Sequence, residues 1–447
     1  MEQFMTHILS AIRLSVLALL LLSLSGAAHL FAQGEEPVTE TNSKTVIILD
    51  PFGVGRKYKM AVCDLVSVKG SPGKNASYLP GRLEANLAMT GLFENINKRA
   101  FLESNPQAGL DGQTNPEYPA WARIGADFLV KGTISESGSR VTLEMHLFDV
   151  GLGKQMLGKR YSGKAKDARK MINQFTNDVL EAITGTPGVF GSQIIFVSGD
   201  KSNKSIMMTE LGSDEATQIA GHKNGPSTQP TMGPGGSTAW VHRNGKKWEL
   251  LVNGKVVSSG PTHLSPAFRP DGTVAAAYSE AQKTSIYSFS GRSKSLLTAL
   301  GGINVSPTFS PDGSRMAFVS NQGGGTGIYV SSAGGGSATR LPITGKATDP
   351  SWSPTGEYIT FVSRETDICI IRPDGTGFRQ LTGGQGYNYR PSFSPDGRMI
   401  VFASTRGGGS RLYVMSVNGD SQQPLMPEYK GHQDQPYWCP TMPADFK

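Results

Sequence analysis

The chain has 447 residues with 55 Gly, 27 Pro, a formal charge of +7 and 38% hydrophobic residues. That length accommodates two or three domains with sizeable cores, and the glycine and proline content implies many turns, hence a β-rich fold. The hydrophobic fraction excludes general disorder, no collagen period is present, and the scatter of Lys and Arg leaves no nucleic-acid footprint.

The start reads as a targeting segment. Arg13 precedes the apolar run Leu14–Leu24, small residues follow at Ser25, Gly26, Ala27 and Ala28, and Ala32 precedes Gln33. This pattern predicts a secretory signal peptide over residues 1–32, cleaved after Ala28 or Ala32. The competing reading is a membrane anchor, but the apolar run is well short of the ~20 residues needed to span a bilayer. No cysteine lies near the cleavage region to take a lipid, and no later segment is apolar and long enough to span. Residues 33–43 are polar and predict a flexible N-terminal segment.

Residues 44–185 predict a small α/β domain. Val46–Leu49 and Met60–Val66 are strand-like, and the apolar spacing over Leu79–Phe93 is that of an amphipathic helix. Trp121, Ile124 and Ala126 belong to a second short helix. Asp127–Ser135, Arg140–Val150 and Lys154–Ser162 read as three antiparallel strands, and Lys166–Thr184 as a closing helix. Gly185–Gly188 makes a short linker.

The remainder repeats. Pro266-Ala-Phe-Arg-Pro-Asp-Gly272 recurs at Pro307–Gly313, Pro350–Gly356 and Pro391–Gly397, with weaker copies at Pro230–Gly236 and Pro436–Pro440. The leading prolines are 36, 41, 43, 41 and 45 residues apart, the period of propeller blades. After each Gly comes an alternating strand such as Met316–Ser320, then a Gly-rich turn, a third strand and a short fourth, which is a four-stranded antiparallel meander. In the turn, Pro311 presets φ, Asp312 tolerates the next position and Gly313 ends it without steric cost. The aromatic two residues after each leading proline (Phe309, Trp352, Phe393) packs between blades. Gln193–Ser198, Ile206–Thr209 and Thr217–Ala220 form three strands with no preceding proline phrase, and Pro436–Pro440 supplies the missing one from the other end of the chain. The fold expected is therefore the small α/β domain followed by a six-bladed β-propeller over residues 189–442, closed by the C-terminal strand so that no edge stays open.

Chemistry-bearing constellations are scarce. The sequence holds no nucleophile elbow, zinc-protease helix, phosphate loop or dinucleotide fingerprint, so neither catalysis, a cofactor nor a metal is expected. Cys63, Cys369 and Cys439 are odd in number, which leaves at least one thiol free, and all lie in apolar strand-like runs that suit buried thiols. His146, His222, His242, His263 and His432 lack metal-ligand spacing, although His263 and His432 fall just before leading prolines.

Geometry remains. The first strands of the blades converge on the axis, so the segments before each leading proline rim one mouth of the channel. They carry Thr262, His263, Ser265, Val305, Asp349, Tyr387, Arg390, His432 and Asp434, a mixture of charge, amide and aromatic groups suited to a protein or peptide. A propeller hydrolase or lyase acting on envelope glycan or peptide is the alternative. It needs a convergent acid–base pair or metal cluster in the channel.

The signal peptide, α/β domain and Pro-x-aromatic-Ser-Pro-Asp-Gly repeats in this order resemble the TolB family, periplasmic components of the Tol–Pal envelope system of Gram-negative bacteria. The repeats alone are shared with prolyl-peptidase and tricorn-type propellers, so the domain order carries the resemblance. It implies a monomeric, non-enzymatic scaffold in the periplasm with no membrane span, serving envelope integrity, protein import and constriction during division. The resemblance also implies docking of the peptidoglycan-associated lipoprotein Pal at the propeller mouth, at positions matching Thr262, Ser265 and Val305. The family's histidine at the first of these is Thr262 here, with His263 beside it. The segment Lys44–Lys57, with Thr45, Asp50, Phe52 and Arg56, matches the family's switch toward the inner-membrane protein TolA.

Overall fold

The computed structural model describes residues 56–68, 73–200, 202–221, 225–280, 283–291, 293–298 and 300–444. The expected strand at Val46–Leu49 lies outside them.

Six strands of the N-terminal domain build a mixed sheet. Strands β1 (Tyr58–Val62), β2 (Val66–Ser67), β3 (Phe93–Asn95), β4 (Phe128–Ser137), β5 (Arg140–Asp149) and β6 (Lys154–Lys164) run in the order β3-β1-β4-β5-β6, with β2 pairing to β4. β1 is parallel to both β3 and β4, whereas β4, β5 and β6 form an antiparallel meander. Helices α1 (Lys74–Met89) and α3 (Ala168–Thr184) cover one face, and α2 (Tyr118–Arg123) is a short turn of helix. α1 begins five residues earlier than its apolar spacing suggests, and Phe93 belongs to β3 rather than to the helix. Ala126 lies beyond α2. Leu79, Leu83 and Leu87 of α1 meet Ile172, Phe175 and Val179 of α3 in one core. Across that apolar contact Asn86 Nδ2 donates to Asn173 Oδ1 (3.0 Å) and Thr176 Oγ1 (3.2 Å), which pairs the amide nitrogen, while Asn86 Oδ1 has no partner among the described residues. α3 stops at Gly185, whose φ of 75° is the left-handed cap a glycine tolerates.

Six four-stranded antiparallel sheets follow. The inner strands are Ser227–Met232, His263–Phe268, Asn304–Phe309, Ala347–Trp352 and Asn388–Phe393 in blades 1 to 5. Blade 6 joins Asp434–Trp438 to Gln193–Gly199, Lys204–Glu210 and Ala216–Ala220. The ring is thus closed by a strand from each end of the propeller sequence, as expected.

The aromatic after each leading proline does pack between blades. Phe309 sits with Ala275 and Ile286 of blade 2, Trp352 with Ala317 and Ile328 of blade 3, and Phe393 with Ile368 and Ile370 of blade 4. Trp438 joins Met399 and Val401 of blade 5 in a core that continues through Phe190 into α3 and α1. The N-terminal domain therefore packs on the side of the Pro-Asp-Gly turns, where Arg398 Nη1 donates to Thr184 Oγ1 (3.1 Å). No helix among the described residues is long and apolar enough to cross a membrane.

The propeller channel and its rim

Each inner strand breaks register at one place. The residue before every leading proline has a left-handed backbone: Gln229 (φ 54°), Ser265 (50°), Ser306 (53°), Asp349 (50°), Arg390 (53°) and Gln435 (48°). Each lies inside a β-bulge against the neighbouring strand. None is glycine, so each costs about 1 kcal/mol of backbone strain, repeated six-fold. The bulge re-aims one side chain per blade, and these six residues line the axial channel together with both sets of prolines. The channel encloses about 380 Å³.

Contacts run from blade to blade around this ring. The N–H of Gln229 donates to Gln435 Oε1 (2.7 Å), and the N–H of Ser265 to Gln229 Oε1 (2.6 Å). Ser265 Oγ and Ser306 Oγ are 3.3 Å apart. Arg390 Nε faces Asp349 Oδ1 at 3.2 Å. One arc of the ring is therefore amide and hydroxyl, and the other an ion pair.

Two residues earlier in the chain stands a buried anchor, the first residue of five inner strands (Ser227, His263, Asn304, Ala347 and Asn388) and the residue just before the sixth (Gln433). Asn304 Nδ2 donates to the carbonyls of Thr284 and Leu300, and Asn388 Nδ2 to those of Thr366 and Gly386. Gln433 accepts the N–H of Leu412 (2.9 Å). His263 fills the same position in blade 2, wholly buried between Tyr278 and Phe289, with ring centroids 4.9 and 5.8 Å away. Neither of its nitrogens has a partner among the described residues. Its place among the rim residues is corrected: register puts its side chain into the blade packing, and burial pushes its pKa down to about 4.

The remaining rim residues divide. Ser265, Asp349 and Arg390 line the channel, while Thr262, Val305, Tyr387, His432 and Asp434 do not. Thr262 and Val305 are half-buried, and Tyr387 and His432 are exposed at the ends of inner strands. Asp434 Oδ2 stands 3.7 Å from both Lys204 Nζ and His432 Nε2. Burial, with the Asp434 charge nearby, pushes the Tyr389 phenol up to about 12. Ile303, exposed by 50% beside the 60% of Tyr387, is a rim residue that sequence reasoning passed over. An apolar β-branched residue straight after Gly301–Gly302 is the signal for it.

The turn aspartates are occupied by their own turns. Asp312 accepts from Ser314 N and Oγ and from Ser310 Oγ, which holds its carboxyl down at about 2, and Asp271 is served likewise by Thr273. Among the described residues no group of three or more His, Cys, Asp or Glu is placed to hold a metal ion. Cys63, Cys369 and Cys439 are all free, and burial pushes each thiol up to about 12. Of the N-terminal switch residues, Thr45, Asp50 and Phe52 lie outside the described residues. Arg56 is exposed and pairs with Asp127 Oδ1 at 2.5 Å.

Residues 180–442 match the TolB beta propeller domain, and residues 53–156 the TolB amino-terminal domain. The chain belongs to the TolB family. A "Protein TolB homolog" of Chlorobium luteolum is 34% identical over 374 residues, covering 80% of this chain and 85% of that one. A "Tol-Pal system protein TolB" of Desulfosudis oleivorans is 34% identical over 308 residues, 68% of this chain and 52% of that one. Among solved structures, TolB from Acinetobacter baumannii superposes with a TM-score of 0.74 at 23% identity, over 87% of this chain and 98% of its own. That likeness concerns the fold, over nearly the whole of that chain.

Proposed function

We propose that the chain is a periplasmic protein-docking scaffold of the Tol–Pal system. It binds a Pal-type peptidoglycan-associated lipoprotein at the propeller rim and engages a TolA-type inner-membrane protein through the segment 44–57. Family membership, with relatives named as Tol-Pal system proteins, carries the system role. The rim supports the docking. Tyr387 and Ile303 are exposed just before the inner strands of blades 5 and 3, and the half-buried Arg390–Asp349 pair joins blades 4 and 5; aromatic and arginine groups of this kind anchor protein interfaces. Reversible docking at the rim needs only these groups.

The test is titration of residues 33–447 with the purified Pal-type lipoprotein domain of the same organism, repeated with Ser265→Trp and Arg390→Glu. Micromolar or tighter binding, weakened at least about tenfold by either variant, is expected. Absence of binding at high concentration, or binding indifferent to both variants, overturns the rim as the docking site.

A further inference from the structure

A second concave surface lies on the turn side of the propeller, away from the rim. A cleft of about 960 Å³ runs between the N-terminal domain and blade 6. One wall is Arg140, the β6 residues Ser162–Lys164, Lys166 in the turn before α3 and Lys170 in the first turn of α3; the other includes Phe190, Gln193 and Met442. Arg140, Lys164, Lys166 and Lys170 are all exposed, and none has an ion-pair partner among the described residues. Against them stand only Asp167 and Glu210.

β6 leads into this cleft as an edge. Among the described residues it pairs with β5 alone, through ten of its eleven residues. Its first half is twisted away by a bulge between Leu147 and Phe148 of the register, but Gly158–Lys164 pairs regularly with β5 and leaves its outer N–H and C=O groups unpaired by any described strand. Such an edge is a template for another strand. Arg160 and Lys164 place cations along it that disfavour a neutral or basic strand and leave an acidic one favoured, while Lys159 already faces Asp178 Oδ2 at 3.8 Å.

We propose that the free edge of β6 and the basic cleft it enters take up an extended acidic peptide segment of a partner protein by strand addition. Main-chain pairing supplies register, and carboxylates of the incoming strand meet Lys164, Lys166, Lys170 and Arg140. The concavity argues against a lipid surface: a flat bilayer cannot reach a wall recessed between two domains. This site shares no residue with the rim, so it stands or falls apart from the docking proposed there.

The probe is a soluble acetylated octapeptide alternating glutamate with valine and threonine, added to residues 33–447. Binding is followed by fluorescence anisotropy, and its location by hydrogen exchange. The expected result is slowed exchange confined to Gly158–Lys164, affinity that falls with salt, and a loss of about tenfold in Lys164→Glu/Lys170→Glu. Both substituted side chains are exposed, so an unchanged unfolding midpoint confirms that the variant is folded. The proposal is overturned if protection appears elsewhere, if the double reversal binds as well, or if a lysine-for-glutamate peptide binds equally. Competition by anionic lipid vesicles, self-association of the chain, or a β6 already protected in the free protein overturns it as well.

Discussion

Arg390 Nε lies 3.2 Å from Asp349 Oδ1, joining blades 4 and 5 across the ring that lines the channel. Both residues owe their position to a left-handed backbone imposed just before a proline. The pair is partly solvated, so its net worth is below about 1 kcal/mol. Arg390→Glu nevertheless sets two carboxylates side by side. The expected outcome is a drop of a few degrees in the unfolding midpoint, read by calorimetry, and a larger loss of lipoprotein binding than Arg390→Gln produces.

His263 makes folding sensitive to acid. Its folded pKa is depressed from the ordinary 6.5 to about 4 by burial, with Lys294 adding to the shift. Below pH ~6.5 the unfolded chain binds a proton the folded chain refuses, so this contribution is complete above that pH and is lost as pH falls toward about 4. Its size is roughly 1–3 kcal/mol across the window. His263→Asn places there the residue that blades 3 and 5 use as anchor. Denaturant unfolding at pH 7 and near pH 4.5 should show a smaller difference for the variant than for the parent. Equal differences would mean that His263 titrates alike in the folded and unfolded chain, which overturns the depressed pKa.

The same position shows what was legible in the sequence. The proline phrase located every inner strand and the split blade, because proline, aromatic and glycine each answer a local steric demand. Left-handed residues before the prolines carried no such mark, since Gln, Ser, Asp and Arg occupy a conformation usually announced by glycine. Aligning the repeats three residues before each proline gives Ser227, His263, Asn304, Ala347, Asn388 and Gln433. That column of small or amide-bearing residues is a buried anchor, and reading His263 alone, outside its column, placed it on the rim. In the N-terminal domain the run Met60–Val66 is broken at Cys63–Leu65, which separates β1 from β2. Apolar content cannot reveal that break, because Leu65 is as buried as the strand residues beside it.

A buried ion pair closes the long loop of that domain. Lys131 and Glu103 are 1% and 3% exposed and in direct contact, and the other Glu103 oxygen accepts the N–H of Glu117 (2.7 Å). The loop preceding α2 is thereby pinned to β4. Lys131→Met leaves the Glu103 carboxylate buried without its cation, a loss of about 3–5 kcal/mol. Urea unfolding should register that loss, and limited proteolysis should cut between residues 104 and 115 sooner. Adding Glu103→Leu should recover much of the stability but not the protection of the loop. Failure of the single variant to destabilise would show that water reaches the site.

Ring closure rests on the last strand. Trp438 Nε1 donates to Ser192 Oγ (2.8 Å), its N–H to Ser392 Oγ (3.0 Å), and the N–H of Cys439 to the carbonyl of Gln193 (2.9 Å). Asp434–Trp438 therefore binds blade 6 along its length and blade 5 through Trp438, whose ring sits in the core shared with α3. Truncation after Gln433 removes these contacts and bares the inner edge of Gln193–Gly199, an apolar strand with five buried residues. An uncovered edge of that kind pairs with other chains. The truncated protein should sediment as aggregates while the parent does not. Trp438→Ala, which keeps the strand and deletes the side chain, should stay soluble and lose about 3–5 kcal/mol in denaturant unfolding. If both variants behave alike, the side chain rather than the strand closes the ring.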